Sequence, residues 1–167
     1  MSALWLWRLV WPLRSRLRPG KGVGGCFPDF RLRDLRGREH VLYDREPGRL
    51  TALWLTNLCG DCCARAPLLG AALAEARGGL RVLAVSILPL SDPLPARVGP
   101  SLEFPVLLDP DDVVSRRLGL AHPPGACPMR NLYLLDGKGT ILFEHHLSAL
   151  RPEAFHAAWR GLVGSRG

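Results

Sequence analysis

The chain has 167 residues, 47% hydrophobic and 22% charged, which is ordinary globular composition and enough for one domain whose core needs no staples. Its net charge of +7 is unevenly placed: residues 1–28 hold five basic groups (Arg8, Arg14, Arg16, Arg18, Lys21) and no acid, so the remaining 139 residues carry only +2. No basic stripe with interleaved aromatics occurs in that body, so the charge does not indicate a nucleic-acid partner.

Residues 1–25 read as a basic, apolar tail ahead of a single domain over residues 26–167. The run from Ala3 to Leu13 is interrupted by Arg8 and is too short to span a bilayer. Its charges follow the apolar run, the reverse of a secretory signal, and no small-residue cleavage site is visible. Trp5, Trp7 and Trp11 beside arginines suit contact of residues 1–18 with a membrane surface, although Pro12 interrupts a helix there. A mitochondrial presequence has the same arginine-rich, acid-free look; a poorly ordered tail is the plain alternative.

From residue 27 the pattern changes. FPDFRLRDLRGREHVLYD reads as two short strands around a turn at Arg36-Gly37. RLTALWLTNL is a continuous apolar run of strand length, suited to a fully buried central strand. In CARAPLLGAALAEARGG the apolar positions Ala64, Leu68, Leu69, Ala72, Leu73 and Ala76 have the spacing of one helical face, ending at Gly78-Gly79. LRVLAVSIL is a second buried strand. PLSDPLPARVGPSLEF reads as a loop with a short helix, and FPVLLD as a strand ending in Asp109. DPDDVVSRRLGL is a helix with acids at its start and arginines near its end, matching the helix dipole. NLYLLDGKGTILFEHH is a hairpin around Asp136-Gly137-Lys138-Gly139, and RPEAFHAAWRGLVG a closing helix. Alternating strands and helices predict parallel pairing with right-handed crossovers, and the hairpin adds an antiparallel edge. The expected architecture is α/β, a mixed central sheet with helices on both faces.

Five cysteines (26, 59, 62, 63 and 127) are an odd number, and their scatter does not suggest a secreted disulfide framework. A reducing, cytoplasmic compartment fits better, with the cysteines at 59–63 reserved for chemistry. They fall where a central strand ends and a helix begins, a position where exposed N–H groups and the helix dipole favour a thiolate at Cys59. Cys62 follows by three residues, about one helical turn, so its sulfur reaches back toward Cys59. Cys63 points about 100° away around the axis and reads as packing. Asp61 between the thiols opposes the thiolate that the dipole favours.

The opening Gly24 with Pro28-Asp29-Phe30-Arg31-Leu32-Arg33-Asp34-Leu35-Arg36-Gly37, the cysteine motif and the Leu-Tyr-Leu-Leu-Asp-Gly-x-Gly hairpin together resemble the redoxins. This group unites alkyl hydroperoxide reductase / thiol-specific antioxidant proteins with membrane-associated thioredoxin-like reductases. The resemblance covers residues 24 to about 163 and implies a thioredoxin-like fold with an extra N-terminal strand pair. Within the group it forks. Leu58-Cys59-Gly60-Asp61-Cys62 is similar to the thioredoxin Trp-Cys-Gly-Pro-Cys site, with Leu for Trp and Asp for Pro. Thr56-x-x-Cys59 looks like the peroxiredoxin Pro-x-x-x-Thr-x-x-Cys motif, with Ala52 in place of proline. Arg130-Asn131-Leu132-Tyr133-Leu134-Leu135-Asp136 resembles the peroxiredoxin segment whose arginine sits beside the attacking thiolate. Thioredoxin-like reductases carry a cis-proline near that position; the nearest here, Pro128, lies two residues early.

Disulfide exchange needs a nucleophilic thiolate and a second cysteine that resolves the mixed disulfide; Cys59 and Cys62 supply both. Peroxide reduction needs the thiolate and donors for the charge developing on the peroxide, roles that the resemblance implies for Thr56 and Arg130. The plain alternatives are a helix-capping hydroxyl for Thr56 and a surface or ion-paired arginine for Arg130. Cys127 and Cys26 read as spectators. One cysteine pair does not make a structural zinc site. Cys59-x-x-x-Cys63 matches the spacing of copper-delivering assembly factors of this fold, but Pro128 and its neighbours occupy the place of their histidine and His122 lies early. A redox-inactive adaptor would have discarded the thiols. The expectation is a thiol oxidoreductase cycling a Cys59–Cys62 dithiol and disulfide, closer to disulfide exchange than to peroxide reduction. It needs no bound cofactor or metal. Its partners are a thiol electron donor such as a thioredoxin and a protein disulfide or peroxide substrate.

Overall fold

The run from Leu50 to Thr56 is buried at every position, and the rest of the sheet is built on it. The computed structural model describes residues 21–43, 49–64, 66–75, 80–89, 91–120 and 132–145, with positions 10, 157, 160 and 161. Its strands are β1 (Arg31–Asp34), β2 (Glu39–Val41), β3 (Leu50–Thr56), β4 (Leu80–Ser86), β5 (Val106–Leu108), β6 (Leu132–Leu135) and β7 (Ile141–His145). The helices are α1 (Gly60–Cys63), α2 (Ala66–Glu75), α3 (Pro93–Val98) and α4 (Val113–Arg117).

One sheet runs in the order β2-β1-β5-β4-β3-β6-β7. Parallel β4 pairs with β3 from Leu50↔Leu80 to Thr56↔Ser86, and β5 continues the parallel set beside β4. The expected hairpin forms the antiparallel flank, β6 on β3 with Trp54 opposite Leu132, then β7 on β6. The N-terminal pair closes the other side, with β1 antiparallel to β5. The mixed sheet and its extra strand pair are therefore as expected.

Alternation along β3 sends its side chains into two cores. Leu50, Ala52 and Trp54 join Ala66 and Leu69 of α2, with Phe104 and Leu134. Leu53 and Leu55 join Val114 of α4 and Leu118, with Phe27, Tyr133 and Ile141. Helices thus cover both faces. Two aromatic pairs meet edge-on, Trp54 with Phe104 at 6.2 Å on one side and Phe27 with Tyr133 at 5.1 Å on the other.

Two expected elements differ in detail. The helix read through Ala64 is two pieces, α1 ending at Cys63 and α2 starting at Ala66. Pro67 is the reason: it has no N–H to give to the Cys63 carbonyl one turn back, so the ladder of α1 cannot run on into α2, whereas near the start of a helix that donor is not needed. The helix read over DPDDVVSRRLGL is the short α4, because Asp112 is left-handed with φ 52° and the acids ahead of it form its entry turn. Of the expected closing helix, positions 157, 160 and 161 are helical and the rest lies outside the described residues, as does most of the N-terminal tail. No described helix is long and apolar enough to cross a membrane.

Three aspartates hold the turns. Asp34 Oδ1 accepts from the N–H groups of Arg36 (2.8 Å) and Arg38 (2.9 Å) across the β1–β2 turn, where Gly37 has φ 77°. Asp136 does the same in the β6–β7 turn for Lys138 and Thr140. Gly139 there has φ 80°, and a Cβ would collide with the Tyr43 ring. Asp109 accepts from Val113 and Val114, each at 2.9 Å, and so caps α4 from inside the core.

The buried Asp34 and Asp109 titrate in opposite directions. Burial pushes Asp34 up, but bonds from His40, Arg38 and Arg36 outweigh it and hold its pKa below the ordinary value. Its stabilisation is present above the ordinary carboxylate pKa and is lost as pH falls through the lowered one. For Asp109 burial prevails over the two amide bonds and its pKa is raised, so its ionisation costs stability as pH rises through that pKa. Denaturant unfolding from acid to neutral pH checks both signs. Relative to the unmodified chain, Asp34→Asn loses stability at neutral pH and converges on it in acid, and Asp109→Asn recovers stability as pH rises. Parallel stability–pH curves for the three proteins contradict this. Asp109→Ala, which strips the cap, costs about 1–2 kcal/mol.

Candidate active site

At the carboxyl end of β3 the chain leaves the sheet by a turn that the sequence does not announce. Thr56 is fully buried, and its Oγ1 accepts the N–H of Leu58 at 2.9 Å. Leu58 is left-handed, φ 53°, and only 1% exposed. This backbone costs an L-residue roughly 1–2 kcal/mol, so it persists because its surroundings impose it. Burial of the Leu58 side chain among Trp54, Ala66 and Leu69 is one such constraint.

The turn delivers Cys59 to the sheet end as a half-buried, free thiol packed against the α2-side core. Its carbonyl accepts the Cys63 N–H at 2.9 Å, and that of Gly60 accepts the Ala64 N–H at 3.0 Å, closing the single turn of α1. Cys63, also half-buried, directs its Sγ to the Leu58 carbonyl at 3.2 Å. It is therefore tied to the turn rather than merely packed, a role that spacing alone had not revealed.

Thr56 thus holds the N–H of the residue before Cys59, and Cys62 follows in the turn that begins at Cys59; the Cys62 side chain lies outside the described residues, as do Arg130, Cys127 and His122. Cys26 is far from this corner. It bridges to Thr140 at the β6–β7 turn, and Leu135 of that hairpin faces Thr51 at the opposite end of β3. There Cys26 Sγ lies 3.3 Å from the Tyr43 hydroxyl, which donates to the Phe27 carbonyl. Burial, followed by the contact with Cys26, pushes the Tyr43 hydroxyl well above its ordinary pKa. Among the described residues no group of three His, Cys, Asp or Glu side chains is placed to hold a metal ion.

A thiol at the carboxyl edge of a parallel β-strand pair, backed by a buried hydroxyl and followed by a second cysteine one turn on, is the frame of thiol redox chemistry. The model of the AhpC/TSA family matches residues 23–143. The chain belongs to the AhpC/TSA family. Across 149 residues it is 28% identical to the thiol-disulfide oxidoreductase ResA of Geobacillus thermodenitrificans, covering 78% of this chain and 79% of that one. Among solved structures it resembles one described as thiol:disulfide interchange protein DsbE from Chlorobium tepidum, with 26% identity, TM-score 0.66, and 87% and 99% of the two chains covered. Peroxidoxin BcpB from Mycobacterium tuberculosis has TM-score 0.67 over 86% and 96% of the chains, but at 18% identity it shows the shared thioredoxin-like fold alone.

The buried Thr56 hydroxyl makes a direct prediction. Thr56→Val leaves the Leu58 amide without its acceptor and is expected to destabilise the domain by about 1–3 kcal/mol, whereas Thr56→Ser, which keeps the oxygen, costs less than half of that. Thermal or denaturant unfolding checks it; equal losses in the two variants would mean that the methyl group, not the hydroxyl, is what matters at this position.

Proposed function

We propose that this chain is a thiol-disulfide oxidoreductase in which Cys59 attacks and Cys62 resolves. The observation that carries the reading is the placement of Cys59 as a half-exposed free thiol directly after the left-handed Leu58 at the end of β3, with Cys62 in the same turn of α1. The 28% identity with ResA over most of both chains supports it.

The chemistry runs in two exchanges. The Cys59 thiolate attacks one sulfur of a substrate disulfide, forming a mixed disulfide and releasing the other substrate sulfur as a thiolate. The Cys62 thiolate then attacks Cys59 Sγ, releases the second substrate thiolate and leaves a Cys59–Cys62 disulfide. Two electrons pass to the substrate, and a thiol donor such as a thioredoxin restores the dithiol. A protein disulfide is the substrate that this cycle reads most simply.

A second reading rests on family membership and on the buried Thr56 three residues before Cys59. In it Cys59 takes an oxygen from a hydroperoxide, water or alcohol leaves, and Cys62 condenses with the sulfenic acid, releasing water. Arg130 would stabilise the leaving oxygen. It stands two residues before Leu132, and Leu132 faces Trp54, two residues before Thr56.

Stopped-flow kinetics of the fully reduced chain with a protein disulfide and, separately, with hydrogen peroxide decide between them. The proposal expects fast reduction of the disulfide, abolition in Cys59→Ser, and a trapped mixed disulfide on Cys59 in Cys62→Ser. It expects a peroxide rate near that of an ordinary thiol. A peroxide rate orders of magnitude higher, collapsing in Arg130→Ala, would make the protein a peroxidase instead.

A further inference from the structure

We infer that Cys63 is a positioning residue for Cys59, acting through the Leu58 carbonyl rather than as another resolving thiol. The inference deepens the reading above and rests on Cys59 being the attacking thiol.

The backbone at Leu58 is defined by two rigid peptide planes that meet at its Cα, and each is held by one side chain. The plane before it carries the Leu58 N–H, which donates to Thr56 Oγ1 at 2.9 Å. The plane after it carries the Leu58 carbonyl, which accepts from Cys63 Sγ at 3.2 Å. Because a peptide unit is planar, fixing both planes fixes φ and ψ between them, here in the left-handed well with φ 53°. The second plane also carries the Cys59 nitrogen and Cα, so the bond from Cys63 orients the unit on which the attacking side chain is mounted. The return bond from the Cys63 N–H to the Cys59 carbonyl at 2.9 Å makes one residue grip the backbone on both sides of the Cys59 Cα.

This arrangement accounts for a third cysteine beside the Cys-x-x-Cys pair. An S–H donor aimed at a carbonyl serves as a thiol, not a thiolate, and its sulfur is occupied where Cys59 is free to react. A serine hydroxyl can replace the donor; an alanine cannot.

The test compares the full-length chain with Cys63→Ser and Cys63→Ala by two readouts. The first is the rate at which Cys59 attacks a small aromatic disulfide, followed across pH and assigned to Cys59 by mass spectrometry. The second is hydrogen exchange of the Leu58 amide, which reports the turn without any thiol chemistry. In Cys63→Ala the Leu58 amide is expected to exchange about tenfold faster and Cys59 to react about three- to tenfold more slowly, with Cys63→Ser within about twofold of the unmodified chain on both. An alanine variant that matches the unmodified chain, or a serine variant as impaired as alanine, overturns the inference alone. Attack by Cys59 of the unmodified chain no faster than by Cys26 overturns the catalytic reading itself, and the inference with it.

Discussion

Two-sided burial of Leu50–Thr56, between a parallel neighbour and an antiparallel one, governs where everything else at the site can go. A strand covered on both faces must satisfy all its backbone groups within the sheet and can leave only at its ends. Beyond its carboxyl end the Leu58 N–H finds a side chain as its acceptor, the hydroxyl of Thr56. The chain then reverses through a left-handed residue with an apolar side chain, and that side chain is buried to 1% exposure. Core packing therefore offsets local backbone strain, and Cys59 stands where the two meet.

The same constraint bears on the chemistry. A nucleophile on a loose loop would lose part of its reactivity to orientational freedom, whereas one mounted on a turn clamped from both sides has little to lose. In the reading proposed above, Thr56 and Cys63 supply that clamp through their bonds to the Leu58 N–H and carbonyl, and both flank the Cys-x-x-Cys pair in sequence. This gives a physical account of the mixed motif. The threonine that resembles a peroxiredoxin feature has in this fold a structural task, accepting the Leu58 N–H, so its presence does not by itself argue for peroxide as substrate.

Away from the site, the periphery is organised by carboxylates that accept backbone N–H groups. Asp34 and Asp136 order the two hairpin turns and Asp109 the start of α4. The first two lie at opposite flanks of one sheet, where short strands and charged side chains also limit pairing with other chains. Arg31 and Glu39 pair at 2.6 Å across the outer β1–β2 strands, a highly exposed contact of small energetic weight.

The sequence by itself determined the class of fold and the order of its strands along the chain, and it singled out the corner on which the proposed chemistry rests. Those features rest on periodicity, on turn residues such as Asp136-Gly137 and on three cysteines within five positions, all of them local signals. Pro67 was visible too, but its consequence, a break between α1 and α2, was masked by an apolar spacing that runs through it. Only the tertiary structure decided the strand order β2-β1-β5-β4-β3-β6-β7, the remoteness of Cys26 from Cys59, and the tasks of Thr56 and Cys63. Strand order depends on which edges pair across long separations. The left-handed turn at Leu58 depends on packing strong enough to impose a backbone that leucine does not choose for itself.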